Sequence, residues 1–378
     1  MTPAERPKSG PLLHAVPRWP ALALLLATLL AAGWSVQHEF RHQREQAGDR
    51  LTALAELRIT QLEGWLAQWR AQANFLRTSQ ALADQFLAFA EQGDQAAGAR
   101  LLARMVEYRR ANDADGVLLV AADGRVLARE SGANRAPADD LQQAVRAAVA
   151  TGEPALTSVY RRADTEQPLR LDVVVPLVAI GTPVRGLIVL RVDPRRVLFP
   201  MIKTWPVPSR SGEAVLWRQV DDRLVALSDV RLRLGASAGE LSEPLATSHL
   251  APARVLRGES AAGTLLEAVD YRGVPVLATV RQVRGSDWWL VAKQDVAEVD
   301  APAWQHARLV GAAAALALLG LWLGSRLWWQ RQVLASTRSQ AEAQRERLDA
   351  LSLLDAIARN SQDAIFAKNL EGRYTFYN

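Results

Sequence analysis

Leu171-Asp172-Val173-Val174-Val175-Pro176-Leu177 and, after a turn, Gly186-Leu187-Ile188-Val189-Leu190-Arg191-Val192-Asp193 decide the fold of this chain. Each run is short, rich in β-branched residues and bounded by turn formers, so each reads as a strand, over 169–178 and 185–192. Ile180-Gly181-Thr182-Pro183 joins them as a turn. Upstream, Leu156–Arg162 is a further strand candidate, and a helix is predicted from Pro137 to Ala150, ended by Thr151-Gly152. Before that, Val117–Val120 and Arg125–Arg129 flank Asp123-Gly124, a hairpin signal. The order is two strands, a helix and three strands. Downstream the layout recurs. Glu213–Val220 and Arg223–Ser228 flank Asp221-Asp222, an irregular stretch covers 229–262, and Thr264–Tyr271, Val274–Val283 and Trp288–Lys293 supply three more strands.

The residues before Gly116 follow a different period. Leu51, Leu54, Ala55, Leu62, Trp65, Leu66, Trp69, Ala73 and Leu76 recur at three- and four-residue steps, one apolar stripe of a helix. No proline interrupts the chain between Pro20 and Pro137. A stalk helix is expected, then one or two shorter helices up to Asn112.

Apolar blocks at 19–36 and 309–329 flank all of this. The first, about 18 residues, is near the lower limit for crossing roughly 30 Å of hydrocarbon, and the second is longer. Trp19 and Trp34 bracket the first; Trp304, Trp328 and Trp329 border the second, where Arg326 can snorkel to the headgroups. Arg6, Lys8 and Arg18 precede the first block, and basic residues follow the second, so the positive-inside rule puts both termini in the cytoplasm and the middle in the periplasm. A rival reading takes the first block as a signal peptide cleaved near Ala31-Ala32-Gly33; the second block spans under either.

Composition excludes several classes. Cysteine is absent, so no disulfide or thiolate metal site arises. The net charge of +5 does not mark a nucleic-acid binder: between Gln37 and Arg308 there are 34 basic and 33 acidic residues, and the excess flanks the apolar blocks. The five histidines (His14, His38, His42, His249, His306) form no ligand cluster. His38 and His42, one helical turn apart, read as solvated polar residues rather than a metal pair. Gly258-Glu259-Ser260-Ala261-Ala262 lacks the closing glycine of a nucleophile elbow and reads as a loop. No phosphate-cradling glycine motif occurs, and no catalytic residue, metal or cofactor is expected within these 378 residues.

The hairpin 171–193, together with Asp270-Tyr271-Arg272-Gly273-Val274-Pro275-Val276 and Trp288-Trp289-Leu290-Val291-Ala292-Lys293-Gln294-Asp295, resembles the double Cache family of extracellular sensor domains over about residues 37–305. The resemblance implies an α+β fold: a membrane-anchored long stalk helix with two tandem PAS-like antiparallel-sheet domains between two transmembrane helices. The expected boundaries are a cytoplasmic tail 1–18, a first membrane helix 19–36, stalk and helices 37–112, a membrane-distal domain 113–205, a membrane-proximal domain 206–305, a second membrane helix 309–329 and a linker helix 330–360. Asp363-Ala364-Ile365-Phe366-Ala367-Lys368-Asn369-Leu370-Glu371-Gly372-Arg373-Tyr374-Thr375-Phe376-Tyr377-Asn378 is similar to the opening of a cytoplasmic PAS domain, 361–378. Two strands cannot bury a face alone, so a fragment of a longer receptor is expected.

In a PAS-like sheet the ligand pocket lies between the sheet face and its covering helix and loops. Arg129, Tyr160, Arg162, Arg170 and Asp172 fall on or beside the first-sheet strands and are the candidate ligand-binding residues, with arginine suited to a carboxylate. Solvent-facing strand residues are the plainer alternative for each. The Trp-Tyr element of the family's amino-acid-binding members is not seen between Glu130 and Ala150. Trp288 and Trp289 point to opposite sheet faces, one into the core. Leu334, Ala341 and Leu348 recur every seven residues, with Leu351 at the companion spacing, a partial heptad that leaves a parallel dimer and a solvated helix both open.

The resemblance implies a receptor in the bacterial inner membrane. It would sense a periplasmic small-molecule ligand, sit in the lipid bilayer, pair as a homodimer and pass its signal to a PAS-linked histidine kinase or diguanylate cyclase. No nucleic-acid partner is expected. A non-signalling periplasmic binding or scaffold protein is the alternative.

Overall fold

A computed structural model describes residues 19–130, 137–161, 169–178, 183–206, 208–233, 238–360 and 366–377. The basic tail 1–18, the turn residues Ile180, Gly181 and Thr182, and Asp363-Ala364-Ile365 lie outside the described residues. The chain forms two compact units, Phe40–Ala303 and the combination of Met1–Glu39 with Trp304–Asn378.

The first helix, α1 (Trp19–Arg77), is continuous for 59 residues. Every one of the nine stripe residues on it is buried, from Ala55 and Leu62 at 0% exposure to Trp65 at 8%. Helices α2 (Gln80–Ala90) and α3 (Gln95–Ala111) follow, the latter capped by Asp94, whose carboxylate accepts from the N–H groups of Ala96 and Ala97.

Two antiparallel sheets fill the larger unit. The first contains β1 (Gly116–Ala121), β2 (Val126–Arg129), β3 (Ala155–Leu156), β4 (Leu171–Leu177) and β5 (Gly186–Val192), in the order β2-β1-β5-β4-β3, with α4 (Asp139–Thr151) between β2 and β3. After α5 (Leu198–Lys203) the second contains β6 (Glu213–Val220), β7 (Arg223–Ala226), β8 (Ser242–Pro244), β9 (Leu265–Val269), β10 (Pro275–Gln282) and β11 (Trp288–Asp295), in the order β8-β7-β6-β11-β10-β9. In both, the last strand inserts beside the first. The short α6 (Ala251–Leu256) occupies the interval before β9.

The pleat sorts each strand's side chains. Leu171, Val173 and Val175 of β4 and Ile188, Leu190 and Val192 of β5 join a core cluster with α1, α2 and α3; Val174, Leu187 and Val189 pack with Leu141, Ala144, Val145 and Ala148 of α4. Helices on both faces explain why these strands read as unbroken apolar runs rather than alternating ones. The α1-side cluster continues through Leu216, Leu277, Leu290 and Ala292 of the second sheet. Trp288 is 1% exposed in it, while Trp289 is half-buried on the opposite face. At Gly186 a Cβ would lie 1.9 Å from the Phe86 ring, so α2 approaches β5 only because that position has no side chain.

Three features differ from the sequence expectation. Strand β3 is two residues long, because the N–H of Asp172 donates to the Thr157 hydroxyl (2.8 Å) instead of a strand carbonyl, and the ladder resumes only as an isolated bridge between Tyr160 and Arg170. The stretch 229–262 contains β8 and α6. Helix α5, six residues with a proline inside, is too short to show a helical period. After β11 the chain passes directly into α7 (Val296–Asn360), 65 residues including the apolar block 309–329, and it is long and apolar enough to cross a membrane. Strands β12 (Phe366–Lys368) and β13 (Tyr374–Tyr377) pair antiparallel beyond it.

Candidate functional site

A cleft of about 560 Å³ opens where α4 and the segment after β3 face the β6–β7 hairpin, lined by Asp140, Gln143, Tyr160, Arg161, Arg218 and Glu240 among others. A second lobe of about 320 Å³ shares Asp140, Gln143 and Arg218 and reaches Thr157, Ser158 and Trp288. Both volumes lie within or near the range of small-molecule sites, and both are walled by the two sheets together. Contacts span the walls: Arg161 reaches Glu240 at 3.4 Å, and the Trp288 indole N–H donates to the Ser158 hydroxyl at 3.3 Å. Arg218 pairs with Asp287 at 2.6 Å. Asp140 sits in the first turn of α4, where the helix dipole favours a carboxylate.

Beneath the cleft lies a hydrogen-bonded triad. The Tyr160 phenol donates to Asp172 Oδ2 at 2.5 Å, and the Arg191 guanidinium grips the same carboxylate through Nε (2.8 Å) and Nη2 (3.0 Å). Asp172 is fully buried. Burial, with the Asp172 charge beside it, pushes the Tyr160 phenol well above its ordinary range. Burial works against the Arg191 guanidinium, and Asp172 more than offsets it, so Arg191 stays firmly protonated. Asp172 thus spends both oxygens on internal partners.

Of the residues singled out from sequence, Tyr160 lines the cleft and Asp172 supports it from below. Arg170 shares the isolated bridge with Tyr160, each backbone N–H donating to the other's carbonyl at 2.9 Å. Arg129 lies on β2 opposite Leu118 of β1. Arg162 lies outside the described residues. Sequence reasoning missed Arg191 as Asp172's partner, although register could have found it: the two face each other across the β4–β5 pair. It also missed Gln143, Arg161, Arg218 and Glu240, which no local pattern connects.

The second sheet carries a counterpart that is sealed. Lys293 (3% exposed) reaches Glu213 at 3.0 Å and Asp270 at 2.5 Å, and the Tyr271 phenol donates to Glu213 at 2.7 Å. Arg272 adds bonds to Asp270 (2.7 Å) and Asp295 (2.5 Å). Burial would raise the Asp270 carboxyl, yet Lys293 holds it below the usual carboxylate range. The adjoining cavity is only about 20 Å³.

The histidine pair noted in the sequence stays apart from these sites. His42 contacts Gln46 at 2.8 Å and the His38 ring stacks on Trp34. Among the described residues no group of three or more His, Asp or Glu side chains could hold a metal ion.

No family model and no curated protein matches the chain. Solved structures do. This chain is similar to ligand-binding domains of bacterial chemoreceptors. That of PctB from Pseudomonas aeruginosa, solved with L-Gln, aligns at 18% identity and TM-score 0.46 over 66% of this chain and 92% of its own. The sensory domain of Tlp3 from Campylobacter jejuni aligns at 14% identity and TM-score 0.48, over 70% of this chain and 99% of its own. An extracellular ligand-binding receptor from Desulfohalobium retbaense aligns at 16% identity and TM-score 0.41, over 62% of this chain and 39% of its own.

Proposed function

We propose that this chain is the sensing part of a bacterial inner-membrane receptor. Two tandem PAS-like domains, 113–205 and 206–305, stand in the periplasm between membrane helices 19–36 and 309–329, with both termini in the cytoplasm. A small polar molecule enters the cleft beside Tyr160. Occupancy favours one of two arrangements of the sheets. The change passes along α7 to a PAS-linked output domain of the histidine-kinase or diguanylate-cyclase type, aligned in a homodimer.

One observation carries this reading: a cleft of ligand size is shared by two sheets, and the last strand of the second runs without a linker into a helix with an apolar block. The test is a thermal-shift screen of the full chain in lipid nanodiscs against amino acids, amines, carboxylates and sugars. A ligand raises the melting temperature by mass action, by RT ln(1 + [L]/Kd) in stability. Gln143→Trp, on an exposed wall position of both lobes, should abolish the shift. A shift that survives Gln143→Trp would move the site elsewhere, and silence across all four classes would remove direct sensing.

A further inference from the structure

The segment between the sheets is gripped at both ends by the two long helices. At its start the Arg58 guanidinium of α1 donates to the Thr204 carbonyl, with Gln61 Oε1 as its other acceptor at 2.8 Å. Arg58 is only 8% exposed. At its end, Glu298 of α7 collects hydrogen bonds from the Ser209 hydroxyl (2.9 Å), the Arg210 N–H (3.1 Å), the Ser211 N–H (2.8 Å) and the Ser211 hydroxyl. The same loop is braced from within and from the second sheet. The Gly212 N–H donates to Ser209 Oγ at 2.7 Å, the Asp295 N–H to Ser211 Oγ at 3.0 Å, and Arg231 Nη2 to the Arg210 carbonyl at 3.0 Å. Burial opposes ionisation of Glu298, and the Ser211 and Arg210 donors overcome it, holding its carboxyl at about 2.

Glu298 is the third residue of α7, and that position matters. Strand β11 leads into the helix at Asp295, and on the α1 side the Arg44 guanidinium grips Asp300 (2.9 and 2.8 Å) while Val299 and Ala303 are buried. Glu298, about 4.5 Å along the axis from Asp295, is the attachment that joins this turn to the loop leaving the first sheet. We propose that Glu298 is a coupling residue: through Ser209–Ser211 it ties the first turn of α7 to the segment leaving the first sheet, so that a displacement there reorients the helix without passing through the strands of the second sheet.

The proposal goes beyond ligand sensing, and its test needs no ligand. Hydrogen exchange is measured on the full chain in lipid nanodiscs, with Ile202→Val as a mild perturbation of buried α5, the helix that follows the first sheet. In the natural chain this substitution should change exchange in the first turn of α7. Glu298→Gln replaces an acceptor-only group with an amide facing four donors. It should speed exchange at Arg210 and Ser211 roughly tenfold or more, leave β4, β5 and β10 unchanged, and erase the response of α7 to Ile202→Val. The double variant Ser209→Ala/Ser211→Ala removes the hydroxyl donors from the other side and should erase it too. Three outcomes would overturn the proposal: no response of α7 in the natural chain, an undiminished response in either background, or faster exchange throughout the second sheet in Glu298→Gln.

Discussion

Apart from the extra edge strand β8, the two sheets share one strand order, and each places a tyrosine, a carboxylate and a cation on the face turned away from α1. They use the motif differently. In the first sheet the triad is minimal: Asp172 has Tyr160 and the Arg191 fork, and Tyr160 shows its flank to an open cleft. In the second sheet the same roles are spread over Glu213, Asp270, Tyr271, Lys293 and Arg272, the neighbouring cavity is far smaller, and the network extends to Asp295 at the foot of α7. The first triad has one flank accessible from the cleft. A branched network beside a helix start makes a stiff mount.

That contrast is easiest to break at the cations. Arg191→Met should strand a fully buried carboxylate with one remaining side-chain donor and cost about 3–5 kcal/mol in urea denaturation of the full chain. Lys293→Met should cost less, because Asp270 keeps Arg272 and Glu213 keeps Tyr271. If Lys293→Met proved the more damaging, the second network would not be the redundant one.

The tyrosines sharpen the comparison. Tyr160→Phe and Tyr271→Phe each remove a hydrogen bond to a carboxylate, about 1.5–3 kcal/mol. Only Tyr160→Phe should also alter ligand-induced thermal shifts, since Tyr160 alone of the two borders the large cleft. Equal effects on ligand response would erase the distinction between an open and a closed triad.

The smallest expected effect is set by pH. The Glu298 carboxyl lies at about 2 in the folded chain, below its ordinary value of 4.5, so its contribution to stability is complete above about 4.5 and disappears as pH falls toward 2. Exchange at Arg210 and Ser211, corrected for intrinsic rates, should rise across that window in the natural chain and stay flat in Glu298→Gln. A rise in both would assign the acid sensitivity to other carboxylates.

Much of the architecture was legible in the residues alone, because it follows from local periodicity. The three- and four-residue spacing from Leu51 to Leu76 specified a buried helical face, and the β-branched runs at 171–177 and 186–192 specified strands. Tyr160 and Asp172 could be placed on or beside first-sheet strands from the residues alone. What the sequence could not express is proximity between residues far apart in it. Glu298 meets Ser209–Ser211 across nearly ninety residues and Arg161 meets Glu240 across seventy-nine; such pairs carry no period and no motif. The folded chain alone decided that Asp172 is spent on Arg191, that Lys293 is enclosed, and that a cleft opens between the sheets. Periodicity records which way a side chain faces, whereas only packing settles what it faces.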